Sequence, residues 1–268
     1  MEKLIFTTIQ SNLHWENKTA NLEMLEKKIL GITEKTNIVL LPEMFSTGFS
    51  MQPELFAENM DGDTVNWMRH LSKQKNIILG GSIMVSENGE YYNRFVWMQP
   101  NGQHGFYDKR HCFSLAGEDQ HYASGNKRTI ASVGGWKINL QICYDLRFPV
   151  WSRQQLQQDE QNEFVPEFDV LVYVANWPER RSNAWKTLLQ ARAIENQSFV
   201  FGVNRVGNDG NQIYHSGDSM VIDPLGEILY HKAHDEDVHT ITIEKSKLAD
   251  IRSRLPFWKD ADGFLVVD

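Results

Sequence analysis

Residues 170–203 read VLVYVANWPERRSNAWKTLLQARAIENQSFVFGV, a run that places a helical pattern between two strand patterns. The flanking segments Val170–Ala175 and Phe199–Val203 are short, apolar and rich in β-branched and aromatic residues, which is typical of buried strands. Between them, Ala184–Asn196 repeats apolar side chains at the spacing of an α-helix. This alternation predicts a layered α/β protein in which helices cover the faces of a sheet.

The same alternation continues along the chain, although it does not give the number of sheets. Further strands are predicted at Leu4–Ile9, Asn37–Leu41, Ile77–Val85, Tyr91–Gln99, His104–Tyr107, Lys137–Ile142, Asp218–Ile222, Glu227–His231 and Val238–Ile243. Further helices are predicted at Asn17–Leu30, at Thr64–Lys75 with Asp61 or Asp63 as its N-cap, and at Leu248–Arg254. The polar stretch Arg153–Glu163 is predicted to be a surface insertion.

Composition excludes several classes of protein. The chain has 268 residues, long enough for one α/β domain or two small ones, and a net charge of −8. An acidic balance argues against a nucleic-acid partner, since phosphate binding needs clustered cations. No apolar run approaches the roughly 20 residues of a spanning helix, so no membrane partner is expected. The absence of signal-peptide features predicts the cytoplasm, where the 2 cysteines would be free thiols.

Cys143 is the first candidate for chemistry, because it stands where the apolar strand Lys137–Ile142 ends and charged residues begin. Ligand sites in α/β proteins lie beyond the carboxyl ends of strands. A cysteine at such a turn is exposed for attack, and the next backbone N–H can face a developing oxyanion. The alternative is a buried structural cysteine, which is common in proteins.

Two charged residues also lie near strand ends. Glu43 follows the apolar run Val39–Leu41 and could act as a general base. Lys109 follows the strand His104–Tyr107, and a cation near a thiol favours the thiolate and stabilises an oxyanion. The alternatives are a helix-start or loop glutamate for Glu43 and a solvated loop lysine for Lys109.

The spacing of these three residues resembles the Glu–Lys–Cys signature of the nitrilase, or carbon–nitrogen hydrolase, superfamily. The resemblance covers essentially the whole chain and is specific, because six separated segments occur in the right order. The matching segments are Leu41–Glu43, Asp108–His111, Cys143–Pro149, Ala175–Pro178, Gln190–Asn196 and Gly217–Ser219. It implies an αββα sandwich with two sheets covered by helices, one domain over residues 1–268, and a homodimer or higher homo-oligomer.

Within the superfamily the chain is most similar to bacterial omega-amidases, which hydrolyse 2-oxoglutaramate and related omega-amides of 2-oxo acids. The finer match lies in Pro42–Phe45, Phe148–Arg153 and Tyr173–Pro178. The resemblance implies a thioester on Cys143, a base at Glu43, and an oxyanion held by Lys109 and the backbone N–H of Tyr144. It implies no cofactor.

The substrate of such an enzyme is a small amide that bears a carboxylate, so a cation is expected in the pocket. Arg147 and Arg180 are candidates, because a guanidinium can bind a carboxylate through two hydrogen bonds. The alternatives are an ion pair of Arg147 with Asp145 and a solvated Arg180. Glu118 is assigned to the second glutamate that relatives carry near the lysine, and its alternative is a solvated loop residue.

Three aromatic residues are candidates for the pocket lining, namely Phe45, Tyr144 and Trp177, although core packing is equally consistent with Phe45 and Trp177. Cys112 stands where relatives usually have leucine, which predicts a hydrophobic substitution rather than a second nucleophile.

Other functions remain open at this level. A nitrilase or an N-carbamoyl amidohydrolase would use the same signature, and a non-catalytic small-molecule binding protein could share the scaffold. A catalytic metal is not expected, because His104, His111 and His121 match no metal-binding spacing.

Overall fold

The structure is a computed structural model that describes residues 1–158 and 162–266. Its strands are β1 (Lys3–Gln10), β2 (Ile38–Leu40), β3 (Ile78–Glu87), β4 (Glu90–Met98), β5 (His104–Asp108), β6 (Ile130–Val133), β7 (Trp136–Ile142), β8 (Leu156–Gln158), β9 (Phe164–Pro166), β10 (Val170–Ala175), β11 (Phe199–Asn204), β12 (Val206–Asn208), β13 (Tyr214–Ile222), β14 (Ile228–Ala233) and β15 (Asp237–Glu244). The α-helices are α1 (Lys18–Leu30), α2 (Pro53–Phe56), α3 (Asp63–Lys75), α4 (Glu118–His121), α5 (Pro149–Ser152), α6 (Ser182–Asn196) and α7 (Lys245–Arg254).

In the described part of the chain, the strands form two large sheets and one small two-stranded sheet. The first sheet has the order β15-β1-β2-β3-β4-β5. The second has the order β12-β13-β11-β10-β7-β6, with β14 paired to β13, and β8 pairs with β9. The strands β1, β2 and β3 are parallel to one another, and so are β7, β10 and β11.

The main core lies between the two sheets. Side chains of β1 and β2, such as Phe6 and Leu40, belong to one buried cluster with side chains of β7 and β10, such as Leu140 and Val172. Phe6 stacks on Phe201 of β11 with ring centroids 4.2 Å apart. The apolar runs are therefore buried on both faces, as their composition predicts.

Helices cover the outer faces of both sheets. Leu25 and Ile29 of α1 and Met68 of α3 form a second cluster on the first sheet. On the second sheet, Trp185 and Leu189 of α6 are fully buried beside β11. The layer order is therefore helix, sheet, sheet, helix, which confirms the αββα sandwich.

Most predicted strands and helices are confirmed, and the differences have local causes. Helix α3 begins after Gly62, and Glu58 rather than Asp61 or Asp63 accepts a hydrogen bond from its first turn, at Thr64 N (2.9 Å). The predicted insertion Arg153–Glu163 contains β8 and adjoins β9, and residues 159–161 of it lie outside the described residues. Helices α2, α4 and α5 are too short to show a helical period.

The strand directions bring several loops to one edge of the sandwich. Glu43 follows β2, Cys143 follows β7, and Asn176 follows β10. Lys109 follows β5, which runs parallel to β3 because each is antiparallel to β4. Carboxyl ends of parallel strands share an edge, so the fold assembles these residues from separate parts of the chain. No helix in the described ranges is both long and apolar enough to cross a membrane.

Candidate active site

Lys109 lies between two buried carboxylates. Its Nζ donates to Glu43 Oε1 at 2.9 Å and to Glu118 Oε1 and Oε2 at 2.9 and 2.8 Å. Both glutamates are fully buried, and Lys109 is 1% exposed. The solvated alternatives for Lys109 and Glu118 are therefore wrong, and Glu43 lies in a turn but is buried. One cation between two carboxylates leaves the cluster with a net negative charge when all three are ionised.

Two asparagines orient the Glu43 carboxylate, and sequence reasoning missed both. Asn93 Nδ2 donates to Glu43 Oε1 (2.8 Å) and to Glu118 Oε1 (3.1 Å). The backbone N–H of Asn176 donates to Glu43 Oε2 (2.8 Å), and its side-chain Nδ2 donates to the Glu43 carbonyl. The position of Asn176 directly after the apolar strand Val170–Ala175 was the available signal.

Cys143 begins a 3₁₀ helix, Cys143–Arg147, directly after β7. Its φ is +43°, in the left-handed region that residues with a Cβ adopt only rarely. This sharp turn presents the thiol beyond the strand end. The first backbone N–H groups of a helix lack acceptors within the helix, so the Tyr144 N–H can donate to a bound group.

Burial and charge act together on the ionisable groups. Burial, followed by the nearby Glu43 carboxylate, raises the pKa of Cys143 well above its ordinary value. Burial opposes the ammonium of Lys109, but the carboxylates of Glu118 and Glu43 outweigh it and raise the pKa of Lys109. Burial also raises the pKa of Glu118. At neutral pH the thiol therefore carries its proton, and a base must remove that proton for attack.

A cavity of about 240 Å³ opens at the thiol. Its lining includes Lys109, Cys143 and the loop residues Asp209, Asn211, Ile213 and His215. Aromatic side chains also line it, namely Phe49, Phe113, Tyr144 and Trp177. The volume suits a small molecule rather than a polymer segment.

Three arginines line the same cavity: Arg147, Arg180 and Arg181. The Arg147 guanidinium lies 4.9 Å from the Trp177 ring centroid, and that of Arg181 lies 5.0 Å from Phe113. Burial, and then the charge of Arg180, lower the pKa of Arg181. Across residues 1–158 and 162–266, none of the three forms an ion pair, so the cavity holds guanidinium charge available to an anion.

The structure decides several alternatives for the predicted site residues. Phe45 is fully buried in the core against the first sheet, and its ring centroid lies 5.9 Å from that of Trp67. It does not line the cavity, so the alternative of core packing is correct. Trp177 has both roles, because it lines the cavity and also packs on the buried Trp185, with ring centroids 5.4 Å apart. The Arg147–Asp145 pair is wrong, since Asp145 accepts its hydrogen bonds from other groups.

Arg181 was not singled out from the sequence. It neighbours Arg180 in the run Glu179-Arg180-Arg181, and only the 3₁₀ helix formed by these residues directs both toward the cavity. Cys112, by contrast, packs against a cluster that contains Met44, Met84 and Tyr122, consistent with a hydrophobic substitution.

Comparison with known proteins agrees with this geometry. The profile of the carbon–nitrogen hydrolase family matches residues 7–253. The chain is 42% identical over 265 residues to "Omega-amidase YafV" of Escherichia coli (strain K12), covering 98% of this chain and 99% of that one. It is 29% identical over 261 residues to "2-oxoglutaramate amidase" of Bacillus subtilis (strain 168), covering 96% and 97%.

A solved structure is similar over its whole length. The CN-hydrolase superfamily protein XC1258 from Xanthomonas campestris, which carries an arsenic adduct in its active site, superposes with a TM-score of 0.95 at 40% identity, covering 100% of both chains. The chain therefore belongs to the carbon–nitrogen hydrolase family, whose members hydrolyse carbon–nitrogen bonds other than peptide bonds.

Proposed function

We propose that this protein is an omega-amidase that hydrolyses the terminal amide of 2-oxoglutaramate, and of shorter analogues such as 2-oxosuccinamate, to the 2-oxo dicarboxylate and ammonia. The observation that carries the proposal is one small cavity lined by Cys143, by Lys109, which is hydrogen-bonded to the buried Glu43, and by three arginines that form no ion pair with any described residue. An omega-amide of a 2-oxo acid has the matching polarity, with an amide at one end and a carboxylate at the other.

The acylation step begins with proton transfer from the Cys143 thiol to the Glu43 carboxylate. The sulfur attacks the amide carbon, and the carbonyl oxygen becomes an oxyanion that Lys109 Nζ and the Tyr144 N–H stabilise. When the C–N bond breaks, Glu43 returns its proton to the leaving nitrogen, so ammonia departs and a thioester remains. A base is needed for this step because the raised pKa of Cys143 keeps the thiol protonated before attack.

The deacylation step uses the same groups in reverse. Glu43 takes a proton from water, the hydroxide oxygen attacks the thioester carbon, and the C–S bond breaks. The proton on Glu43 then passes to the sulfur, which restores the thiol, and the carboxylic acid product gives its remaining proton to solvent and leaves as the carboxylate. Glu118 holds Lys109 through two hydrogen bonds throughout, so its proposed role is to position the ammonium.

The arginines supply the substrate's carboxylate site in this proposal. Arg147 and Arg181 each lie against an aromatic face, which restrains the guanidinium, and neither guanidinium forms an ion pair with a described residue, so both can bind an anion. Arg180 lies in the same wall and is more exposed. Arg147→Gln or Arg181→Gln is expected to raise KM for an anionic amide about tenfold to a hundredfold. The exposed Arg254→Gln is the matched control, with KM unchanged.

The amide panel tests the proposal directly. Ammonia release is measured from 2-oxoglutaramate, from a simple uncharged amide, from a nitrile and from an N-carbamoyl amino acid. We expect the highest kcat/KM for 2-oxoglutaramate. Release from the nitrile alone would establish a nitrilase, release from the N-carbamoyl compound alone would establish that amidohydrolase, and binding without any release would establish a binding protein.

We further propose one domain over residues 1–268, a homodimer and a cytoplasmic location. One buried cluster joins residues from Leu4 to Leu248, which supports a single domain. Val150, Phe257 and Leu265 are exposed apolar residues that line one surface cavity, which suits a self-association face. Both cysteines are free, as a reducing compartment requires. Sedimentation velocity should give a dimer for the protein and a monomer for Val150→Asp.

A further inference from the structure

The fully buried carboxylate of Asp145 joins two segments of the active site. Its Oδ2 accepts hydrogen bonds from the Tyr107 hydroxyl (2.8 Å) and the Ile142 backbone N–H (3.1 Å). Its Oδ1 accepts from the His111 backbone N–H (3.0 Å) and lies 2.8 Å from His111 Nδ1. Because the partner of Nδ1 is a carboxylate oxygen, Nδ1 is the protonated nitrogen of that ring.

These donors lie on either side of Lys109 and directly before Cys143, two of the residues that the proposed mechanism uses. Tyr107 and His111 stand two residues before and two residues after Lys109. Ile142 directly precedes Cys143, and Asp145 follows it within the same 3₁₀ helix. One carboxylate therefore ties the lysine segment to the cysteine turn, at residues separated by more than 30 positions in the chain.

Further contacts hold the segment around Lys109 against the turn at Cys143. The Tyr107 hydroxyl also accepts from Trp151 Nε1 (2.9 Å) and from the Arg110 backbone N–H (3.2 Å). The His111 ring stacks on Phe148, with centroids 3.7 Å apart and planes 5° apart. Burial and the Asp145 charge raise the pKa of Tyr107, so the phenol remains a donor to the carboxylate.

The turn at Cys143 needs such support. A residue with a Cβ at φ +43° is held there only when its surroundings over-determine the conformation. The hydrogen bond from Ile142 N–H to Asp145 closes the turn around Cys143 from within, and the donors from Tyr107 and His111 anchor the same carboxylate to the neighbouring loop.

We propose that Asp145 is a positioning residue that sets the distance between the Cys143 thiol and the Lys109 ammonium. The inference rests on the proposed catalytic roles of Cys143 and Lys109 but not on the identity of the amide. In this scheme Asp145 touches neither the thiol nor the substrate. It acts by fixing the position of the Lys109 segment relative to the Cys143 turn.

The first experiment compares Asp145→Asn with Asp169→Asn. Asp169 is a matched control, because it is also buried and accepts hydrogen bonds from Lys137 N (2.9 Å) and Arg252 Nη1 (3.1 Å), outside the cavity. We expect Asp145→Asn to lower kcat about a hundredfold, as small displacements of reacting groups do, and Asp169→Asn to change kcat less than about twofold. Equal losses of kcat in the two variants would overturn the proposal.

The second experiment needs no turnover and so separates this proposal from the omega-amidase proposal. The rate of Cys143 alkylation by iodoacetamide is followed by mass spectrometry of its peptide in a double-mutant cycle of Asp145→Asn and Lys109→Ala. We expect Asp145→Asn to slow alkylation about tenfold when Lys109 is present and less than about twofold when it is absent. The same factor in both backgrounds would show that Asp145 does not act through Lys109.

Milder variants keep the proposal testable if Asp145→Asn does not fold. His111→Leu removes only the ring donor and keeps an apolar side chain on Phe148, whereas Tyr107→Phe removes only the hydroxyl. Each is expected to slow alkylation about threefold to fivefold in the presence of Lys109 and to have no effect in Lys109→Ala. Wild-type alkylation rates in both single variants would refute the positioning role.

Discussion

At the scale of single residues, two thiols of one chain differ in their neighbours rather than in their ionisation. Burial raises the pKa of Cys112 to about 11, and burial with the Glu43 charge raises the pKa of Cys143 as well. Neither is a thiolate at neutral pH. Cys143 lines the cavity with Lys109 and lies near the Glu43 carboxylate behind them, whereas Cys112 packs beside Tyr122 and Ser124. An adjacent base, not a lowered pKa, is what favours Cys143 as the nucleophile.

Replacing each thiol should therefore have unequal effects. Cys143→Ala is expected to abolish ammonia release, since Cys143 supplies the sulfur of the proposed thioester, and Cys112→Ala should retain most of it. Rapid quench of the wild-type protein should add the mass of the acyl group to the peptide that contains Cys143. Similar loss of activity in both variants, or an adduct on the Cys112 peptide, would contradict the assignment of the nucleophile.

His215 predicts an acid-dependent loss of stability. Burial, and then the charge of Arg205, lower the pKa of His215 from 6.5 to about 4. Between these values the unfolded chain binds a proton that the folded protein does not, so the free energy of unfolding falls as pH falls from about 6.5 to about 4. The contribution is about 3 kcal/mol.

Urea unfolding of the wild type and of His215→Gln at pH 7 and pH 4 measures this contribution. The difference in unfolding free energy between the two pH values should be smaller in the variant by about 3 kcal/mol. An identical pH difference in both proteins would show that His215 does not titrate in this way.

At the scale of secondary-structure elements, helix α6 packs unusually close to strand β11. A Cβ built at Gly202 would lie 2.5 Å from Leu189 Cδ1 and 2.8 Å from Trp185 Cζ2. Both side chains are fully buried, so they have little room to move. The absence of a side chain at Gly202 therefore allows α6 to cover the second sheet.

Gly202→Ala should destabilise the protein by about 1–3 kcal/mol, the usual cost of overpacking a core. Gly105 in β5 is a matched control, because a Cβ there would meet no atom within 4 Å. Gly105→Ala is expected to be neutral or slightly stabilising. Thermal or urea unfolding of the two variants measures both effects, and equal stabilities would contradict the close packing of α6 on β11.

At the scale of the whole molecule, the sign of the net charge and the charge of the cavity are opposite. The chain carries −8, yet Arg147, Arg180 and Arg181 all line one small cavity. Attraction of an anionic substrate therefore depends on local cations, while the long-range field of the molecule repels it.

This opposition predicts how salt affects KM. Added salt screens both the repulsion by the net charge and the attraction by the arginines. Because the arginines lie closest to the bound carboxylate, their attraction is the larger effect, so KM for 2-oxoglutaramate should rise by about twofold to fivefold between about 0.01 M and 0.5 M ionic strength. KM for an uncharged amide should stay constant over the same range, and kcat should change little for either substrate. Parallel salt dependence for the charged and uncharged amides would argue against an arginine-lined carboxylate site.

The sequence by itself determined the positions of most strands and helices and the family. Hydrophobic periodicity is a local property, so Val170–Ala175 and Ala184–Asn196 were recognisable without knowledge of their neighbours. Glu43, Lys109 and Cys143 were recognisable because each follows a strand and their order matches the family signature. The short helices α2, α4 and α5 gave no period and were missed.

Only the tertiary structure decided which residues complete the site. Asn176 and Glu43 are 133 positions apart yet share two hydrogen bonds, and no local pattern encodes such a pair. The same holds for the carboxylate of Asp145, whose donors Tyr107 and His111 replaced the expected neighbour Arg147. Local sequence determines how each segment folds, but hydrogen bonds between distant segments form only where the sheet order brings strand ends together.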